Sequence, residues 1–155
     1  MSHEYTYDIS MFRDTFETRF TYLNGFLRNV SRFGSRPALF DPRSGRRWTY
    51  RELNAEANRL AHALRADGVG KNDVVMFTLL NSPEFVFCYL AAHKIGAIAC
   101  PVNYRQGADE FALVIDDSTP KAFIYDAEFG ELSGGALDLC ESKPAIKIVV
   151  GADDA

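Results

Sequence analysis

The stretch from Asp73 to Asn103 constrains the fold more than any other part of the chain. Val74-Val75-Met76-Phe77-Thr78-Leu79-Leu80 is an almost unbroken apolar run, the pattern of a strand buried on both faces in a parallel sheet. Asn81-Ser82-Pro83-Glu84 then reads as a helix entry. Ser82 is the expected cap, Pro83 sits at the first helical position, where no N–H is needed, and Glu84 lies in the positive end of the helix dipole. Phe85 to Ile95 is apolar on nearly every side, predicting a buried helix that Gly96 closes before a second strand over Ala97–Val102. Parallel strands need such a crossover, and it is right-handed. The alternation continues more weakly, with a helix near 107–116, a strand near 121–125, a helix near 127–141 and a strand near 146–150. This specifies an α/β fold with a mainly parallel sheet flanked by helices.

Upstream the pattern differs. Phe12, Phe16, Phe20, Tyr22, Phe26 and Phe33, spaced mostly three to four apart, predict a helix within residues 6–34 whose aromatic stripe faces the core and which stops at Gly34. Ala38-Leu39-Phe40 and Arg47-Trp48-Thr49-Tyr50, joined by Asp41-Pro42-Arg43-Ser44-Gly45, predict a β-hairpin. Thr49-Tyr50-Arg51-Glu52 fits a capping box, and Leu53, Ala57, Leu60, Ala61 and Leu64 follow on one helical face up to Gly68. The expected division is a helical segment over 1–34 and an α/β lobe over 35–155.

Bulk properties exclude several function classes. A net charge of −4 gives no support for a nucleic-acid footprint, which would need a basic face. Arg43, Arg46 and Arg47 read as a solvated hairpin turn. Cys88, Cys100 and Cys140 have neither disulfide nor metal spacing, so no metal site is expected and the thiols are read as reduced and structural. No secretory signal and no apolar window of about 20 residues is present, which predicts a soluble, cytoplasmic protein without a transmembrane segment.

Four motifs in order carry a family resemblance. Trp48-Thr49-Tyr50-Arg51-Glu52-Leu53 resembles the aromatic-Thr-Tyr-x-Glu-Leu signature near the start of the adenylate-forming (AMP-binding) superfamily. Gly68-Val69-Gly70-Lys71-Asn72-Asp73-Val74-Val75 and Asn81-Ser82-Pro83-Glu84-Phe85 are similar to its next two. Leu90-Ala91-Ala92-His93-Lys94-Ile95-Gly96-Ala97, running on to Pro101-Val102-Asn103, is similar to its Lys-x-Gly-Ala-x-x-x-Pro-Val-Asn signature, and Asp117-Ser118-Thr119-Pro120-Lys121 continues the likeness. His93 and Cys100 are small departures. The resemblance implies the first subdomain of an acyl-CoA synthetase amino-terminal domain. It also implies an ATP-dependent ligase that joins a small carboxylic acid to CoA through an acyl-adenylate, with Mg²⁺ and release of AMP and pyrophosphate. Tyr104 to Phe111 gives a slight preference for fatty acid metabolism.

The residues themselves read as scaffold. The family's phosphate loop, Ser/Thr-Ser-Gly-Thr-Thr-Gly-x-Pro-Lys, is absent. Leu132-Ser133-Gly134-Gly135-Ala136 lacks its Thr pair and Lys and is read as a loop or helix interruption; Gly68-x-Gly70-Lys71 precedes its strand and is read as a turn. Asp116-Asp117 and Asp153-Asp154 are read as solvated pairs. No catalytic residue is assigned. Arg105, just past a strand's carboxyl end, is the single candidate ligand contact, and the resemblance implies a contact with the phosphates of CoA. A strand-end salt bridge is its competing reading. The chain alone is expected to be inactive, to bind no nucleotide tightly, and to self-associate through an exposed apolar face. A stand-alone α/β ligand-binding module, or an interaction fragment docking onto a separately encoded remainder, are the alternatives.

Overall fold

The computed structural model describes residues 9–151. Helix α1 (Ile9–Arg13) runs into a π-helical turn (Asp14–Arg19), followed by α2 (Tyr22–Phe33), the hairpin β1 (Pro37–Phe40) and β2 (Arg47–Thr49), and α3 (Tyr50–Ala66). Next come β3 (Val74–Thr78), α4 (Pro83–Ile95), β4 (Ile98–Pro101), α5 (Ala108–Ser118), β5 (Ala122–Asp126), a 3₁₀ turn (Ala127–Phe129), α6 (Gly130–Leu139) and β6 (Ile146–Val150).

The last four strands form one parallel sheet in the order β4-β3-β5-β6. β3 is central, which explains its unbroken apolar run. Val75 and Phe77 point to one face, where they share a core with Leu64, Cys88 and Ala91 of α3 and α4. Met76 points to the other, against Phe111, Ile115 and Ala136 of α5 and α6. β5 divides likewise, with Ala122 and Ile124 on the first side and Phe123 on the second. The chain steps from β3 outward to β4 and then back past β3 to β5, so right-handed crossovers must put α4 and α5 on opposite faces. Pro101 closes β4 at the sheet edge, where its missing N–H is not required. A third cluster, Phe26, Trp48, Leu53, Ala57 and Leu90, fastens α2 and the hairpin to α3 and α4.

The local expectations hold at the best-marked ends. Thr49 and Glu52 form the full capping box, with Thr49 N–H donating to the Glu52 carboxylate at 2.8 Å and Glu52 N–H donating to the Thr49 hydroxyl at 3.2 Å. Gly96 ends α4 at φ +73°, a conformation that side chains other than glycine adopt at a cost. Ser82 occupies the N-cap position of α4 with extended backbone, but its hydroxyl caps nothing.

The amino-terminal expectation needs correcting. Its residues 6–8 lie outside the described residues, and the remainder is not one helix. The chain breaks at Phe20 (φ −98°, ψ 39°), and α2 starts afresh with Thr21 accepting from Asn24 N–H at 3.2 Å. Nor does the aromatic stripe face the core: Phe20 and Tyr22 are 63% and 64% exposed, Phe12, Phe16 and Phe33 are exposed as well, and only Phe26 is buried. The upstream rings pack against one another instead, with centroids 4.6 and 5.4 Å apart and planes tilted by 30° and 35°. The sheet is covered by helices on both faces, so the exposed apolar side chains lie largely in this amino-terminal segment.

Four carboxylates are tied into turns, and each is held below its ordinary pKa. Asp41 accepts from the Ser44 hydroxyl and Arg43 N–H, and Glu52 from the Thr49 N–H and hydroxyl. Asp73 accepts from Lys121 and Gly70 N–H, and Asp116 from the N–H groups of Ser142 and Glu141. Asp116 therefore staples α5 to the loop after α6 rather than being merely solvated. A depressed carboxylate pKa contributes stability that is complete above the unfolded value and lost as pH falls through the folded one. The melting temperature should accordingly hold level from neutrality to about pH 5 and fall below about pH 4. Calorimetry across that range checks this; a melting temperature that rises on acidification would contradict it.

Candidate functional site

Ligands of open α/β sheets gather at the carboxyl ends of strands, where successive crossovers diverge to opposite faces. Here β3 leads into α4 on one face and the adjacent β5 leads toward α6 on the other, so the divergence lies between β3 and β5. The chain itself bridges this crevice: Leu80 N–H donates to the Asp126 carboxylate at 2.6 Å. Beside it the fully buried Thr78 donates its hydroxyl to the Val102 carbonyl at 3.2 Å, tying β3 to the end of β4.

Arg105 stands on the turn after β4, one strand away from the crevice. The turn is set by Asn103, whose side-chain oxygen accepts from Arg105 N–H at 3.1 Å and whose carbonyl accepts from Gln106 N–H at 3.3 Å. Tyr104 stacks on Phe129 at 4.7 Å and 8°, fastening the turn to the connection after β5. The Arg105 guanidinium is exposed, 5.7 Å from the Tyr104 ring, and forms no ion pair among the described residues. It is a cation held at the rim and open to solvent.

The other motifs are placed as follows. Gly68 to Lys71 form the turn entering β3, at the amino end of the sheet and so opposite the ligand edge. There Gly68 has φ +87°, and Asp73 accepts from Gly70 N–H at 2.8 Å while pairing with Lys121 at 2.9 Å. Ser133, Gly134 and Gly135 lie inside α6, which corrects the loop reading; apolar contacts of Leu132, Ala136 and Leu137 hold the helix together across its glycines. The hairpin arginines are also more than solvated, since Arg46 lies 4.5 Å over Trp48 and Arg47 4.4 Å over Phe40. Asp153-Asp154 falls outside the described residues.

Little here can act as a nucleophile. All three cysteines are free. Burial pushes the Cys88 thiol up to about 12, helped by the negative charges of Glu84 and Asp126, and burial also raises Cys100. Among the described residues no group of three or more His, Cys, Asp or Glu could hold a metal ion, and no helix is long and apolar enough to cross a membrane. Two apolar grooves lie against α4, beside smaller ones lined by Asp41 and by Arg65 with Lys94. One, of about 360 Å³, lies between Tyr22, Phe85, Val86, Tyr89 and His93; the other, of about 520 Å³, lies between α2, β1 and α4. Neither is lined by a carboxylate, lysine or arginine, so neither suits phosphate chemistry.

Sequence reasoning missed Asp126 and the Tyr104–Phe129 stack. Nothing local announces either one, because Asp126 meets Leu80 across 46 residues.

The family model for the AMP-binding enzyme matches residues 26–155. The chain belongs to the AMP-binding enzyme family. Compared with curated members, it is 43% identical over 107 residues to the 3-hydroxybenzoate/4-hydroxybenzoate–CoA ligase of Thauera aromatica, covering 69% of this chain and 20% of that protein. It is 41% identical over 116 residues to a long-chain-fatty-acid–CoA ligase of Mycobacterium tuberculosis, covering 75% and 23%. Among solved structures, the Mycobacterium tuberculosis fatty acyl CoA synthetase superposes with a TM-score of 0.77 at 31% identity, over 85% of this chain and 27% of that one. The chain thus spans about a fifth of the length of these curated AMP-binding relatives.

Proposed function

We propose that this chain is the first lobe of an ATP-dependent acid–thiol ligase, which converts a carboxylic acid, ATP and CoA into acyl-CoA, AMP and pyrophosphate through an acyl-adenylate. The observation that carries this reading is the family match over residues 26–155, joined to relatives that are named CoA ligases. The likeness to the structure of a mycobacterial N-terminal domain, at TM-score 0.75 and 31% identity over 81% of this chain, supports the word first. The lobe is read as residues 35–155 preceded by a helical segment over 1–34, and the location as cytoplasmic. The acid is read as fatty, on the stretch from Tyr104 to Phe111; hydroxybenzoate, long-chain and crotonobetaine/carnitine ligases all stand among the relatives, so aromatic and short acids compete with it.

ATP, Mg²⁺ and CoA belong to the complete enzyme. The residues here do not fit the first two: the phosphate-loop sequence is absent and no acidic cluster converges among the described residues. No chemical step is therefore assigned to them. What the lobe supplies is a rigid edge carrying Arg105, and Arg105 is the residue proposed to meet the phosphates of CoA.

Titration with ATP, AMP and CoA tests the reading. The chain alone should show no saturable nucleotide binding in the micromolar range, whereas a ligand-binding module would bind one of them tightly. In the full-length ligase Arg105→Ala should raise the KM for CoA about tenfold, the worth of one phosphate contact, and leave the KM for ATP unchanged. An unaltered KM for CoA would remove Arg105 from the site.

A further inference from the structure

The amino-terminal segment combines exposed apolar side chains with a run of positive charge from Arg19 onward. Between Thr18 and Phe40 stand four arginines, Arg19, Arg28, Arg32 and Arg36, and no acidic residue, in a chain of net charge −4. Just upstream lie Asp14 and Glu17, of which Glu17 pairs with Arg13 at 3.8 Å. Large apolar side chains in this region stand in water: Met11 is 69% exposed and Phe16 50%. Phe12, Phe16 and Phe20 form a ladder, with ring centroids 4.6 and 5.4 Å apart, that the π-helical turn keeps in line. The Arg28 guanidinium lies 5.7 Å over the Phe20 ring at its end.

Aromatic rings edged by guanidinium groups suit an anionic bilayer surface. The rings enter the headgroup region while the arginines meet lipid phosphates. A second copy fits less well, because joining two such faces brings their arginines together as like charges. We propose that this segment, through Phe12, Phe16, Phe20, Arg19, Arg28 and Arg32, is a peripheral docking surface for anionic lipid membrane. It does not span the bilayer, since no described helix is long and apolar enough.

Co-sedimentation of the full chain with phospholipid vesicles tests this independently of ligase activity. Binding is expected to vesicles containing roughly a third phosphatidylglycerol and to weaken steeply with salt. The triple variant Arg19→Gln, Arg28→Gln, Arg32→Gln should lower the partition coefficient about tenfold or more, as should Phe16→Ser with Phe20→Ser. All of these side chains are exposed, so far-UV circular dichroism should be unchanged; the salt series on the unaltered chain gives a reading that does not depend on any variant. Equal binding to pure phosphatidylcholine, sedimentation without vesicles through self-association, or no binding at all would each overturn the proposal.

Discussion

Phe77→Ala should lower the unfolding free energy by about 3–5 kcal/mol. Phe77 is fully buried in the central strand and meets Phe85 and Tyr89 of α4 edge-on, with ring centroids at 5.1 and 5.4 Å. Its neighbours across the parallel register are Pro101 and Ile124, so truncation opens a cavity between the strand's two partners and the helix above. Such a cavity cannot collapse easily, because backbone hydrogen bonds fix the strands on both sides. Domains of this size have only about 5–15 kcal/mol of stability in total, so the variant should be partly unfolded at physiological temperature. Urea denaturation followed by circular dichroism measures the loss; a value under about 1.5 kcal/mol would mean that Phe77 does not organise this core.

Trp48→Ala should cost a similar amount, about 3–5 kcal/mol, through a different cluster. Trp48 is 4% exposed, meets Phe87 edge-on at 5.9 Å, and carries the Arg46 guanidinium at 4.5 Å. It joins the hairpin and α2 to α3 and α4. Its indole N–H, however, is buried with no hydrogen-bond partner among the described residues, and an unpaired buried donor costs about 1–3 kcal/mol. Trp48→Phe removes that donor while keeping an aromatic ring, so its net cost should be only about 1 kcal/mol. The chain has one tryptophan, so circular dichroism rather than fluorescence must follow both variants. Both substitutions remove the donor, so it is the size of the Trp48→Phe loss that reports on it: a loss well above about 1 kcal/mol would show that the indole N–H imposes no penalty here.

Much of the fold is legible in order along the chain. Thr49 with Glu52, Pro83 and Gly96 act through backbone groups no more than four residues away, and such signals survive in a sequence. The apolar run of β3 predicts a strand covered on both faces, and the core places Val75 and Phe77 on one side and Met76 on the other. The same local reasoning fails for the amino-terminal aromatics. Spacing alone makes Phe12, Phe16 and Phe20 a helical stripe but cannot say what the stripe faces; in the folded chain it faces solvent. It fails again at Ser133-Gly134-Gly135, where glycines that weaken a helix locally are held within one by the packing of α6 on α5.

The site divides in the same way. The sequence by itself determined the order of strands and helices, the family signatures from Thr49 to Asn103, and the position of Arg105 just past a strand, because each depends on near neighbours or on a pattern read in register. Only the tertiary structure decided that the crevice between β3 and β5 is bridged by Asp126 and Leu80, and that Arg105 lies one strand aside on a turn fixed by Tyr104 and Phe129. It also decided that rings expected in the core stand in water. These are contacts between residues far apart in the chain or matters of which side a segment turns toward, and both are set by how the crossovers close.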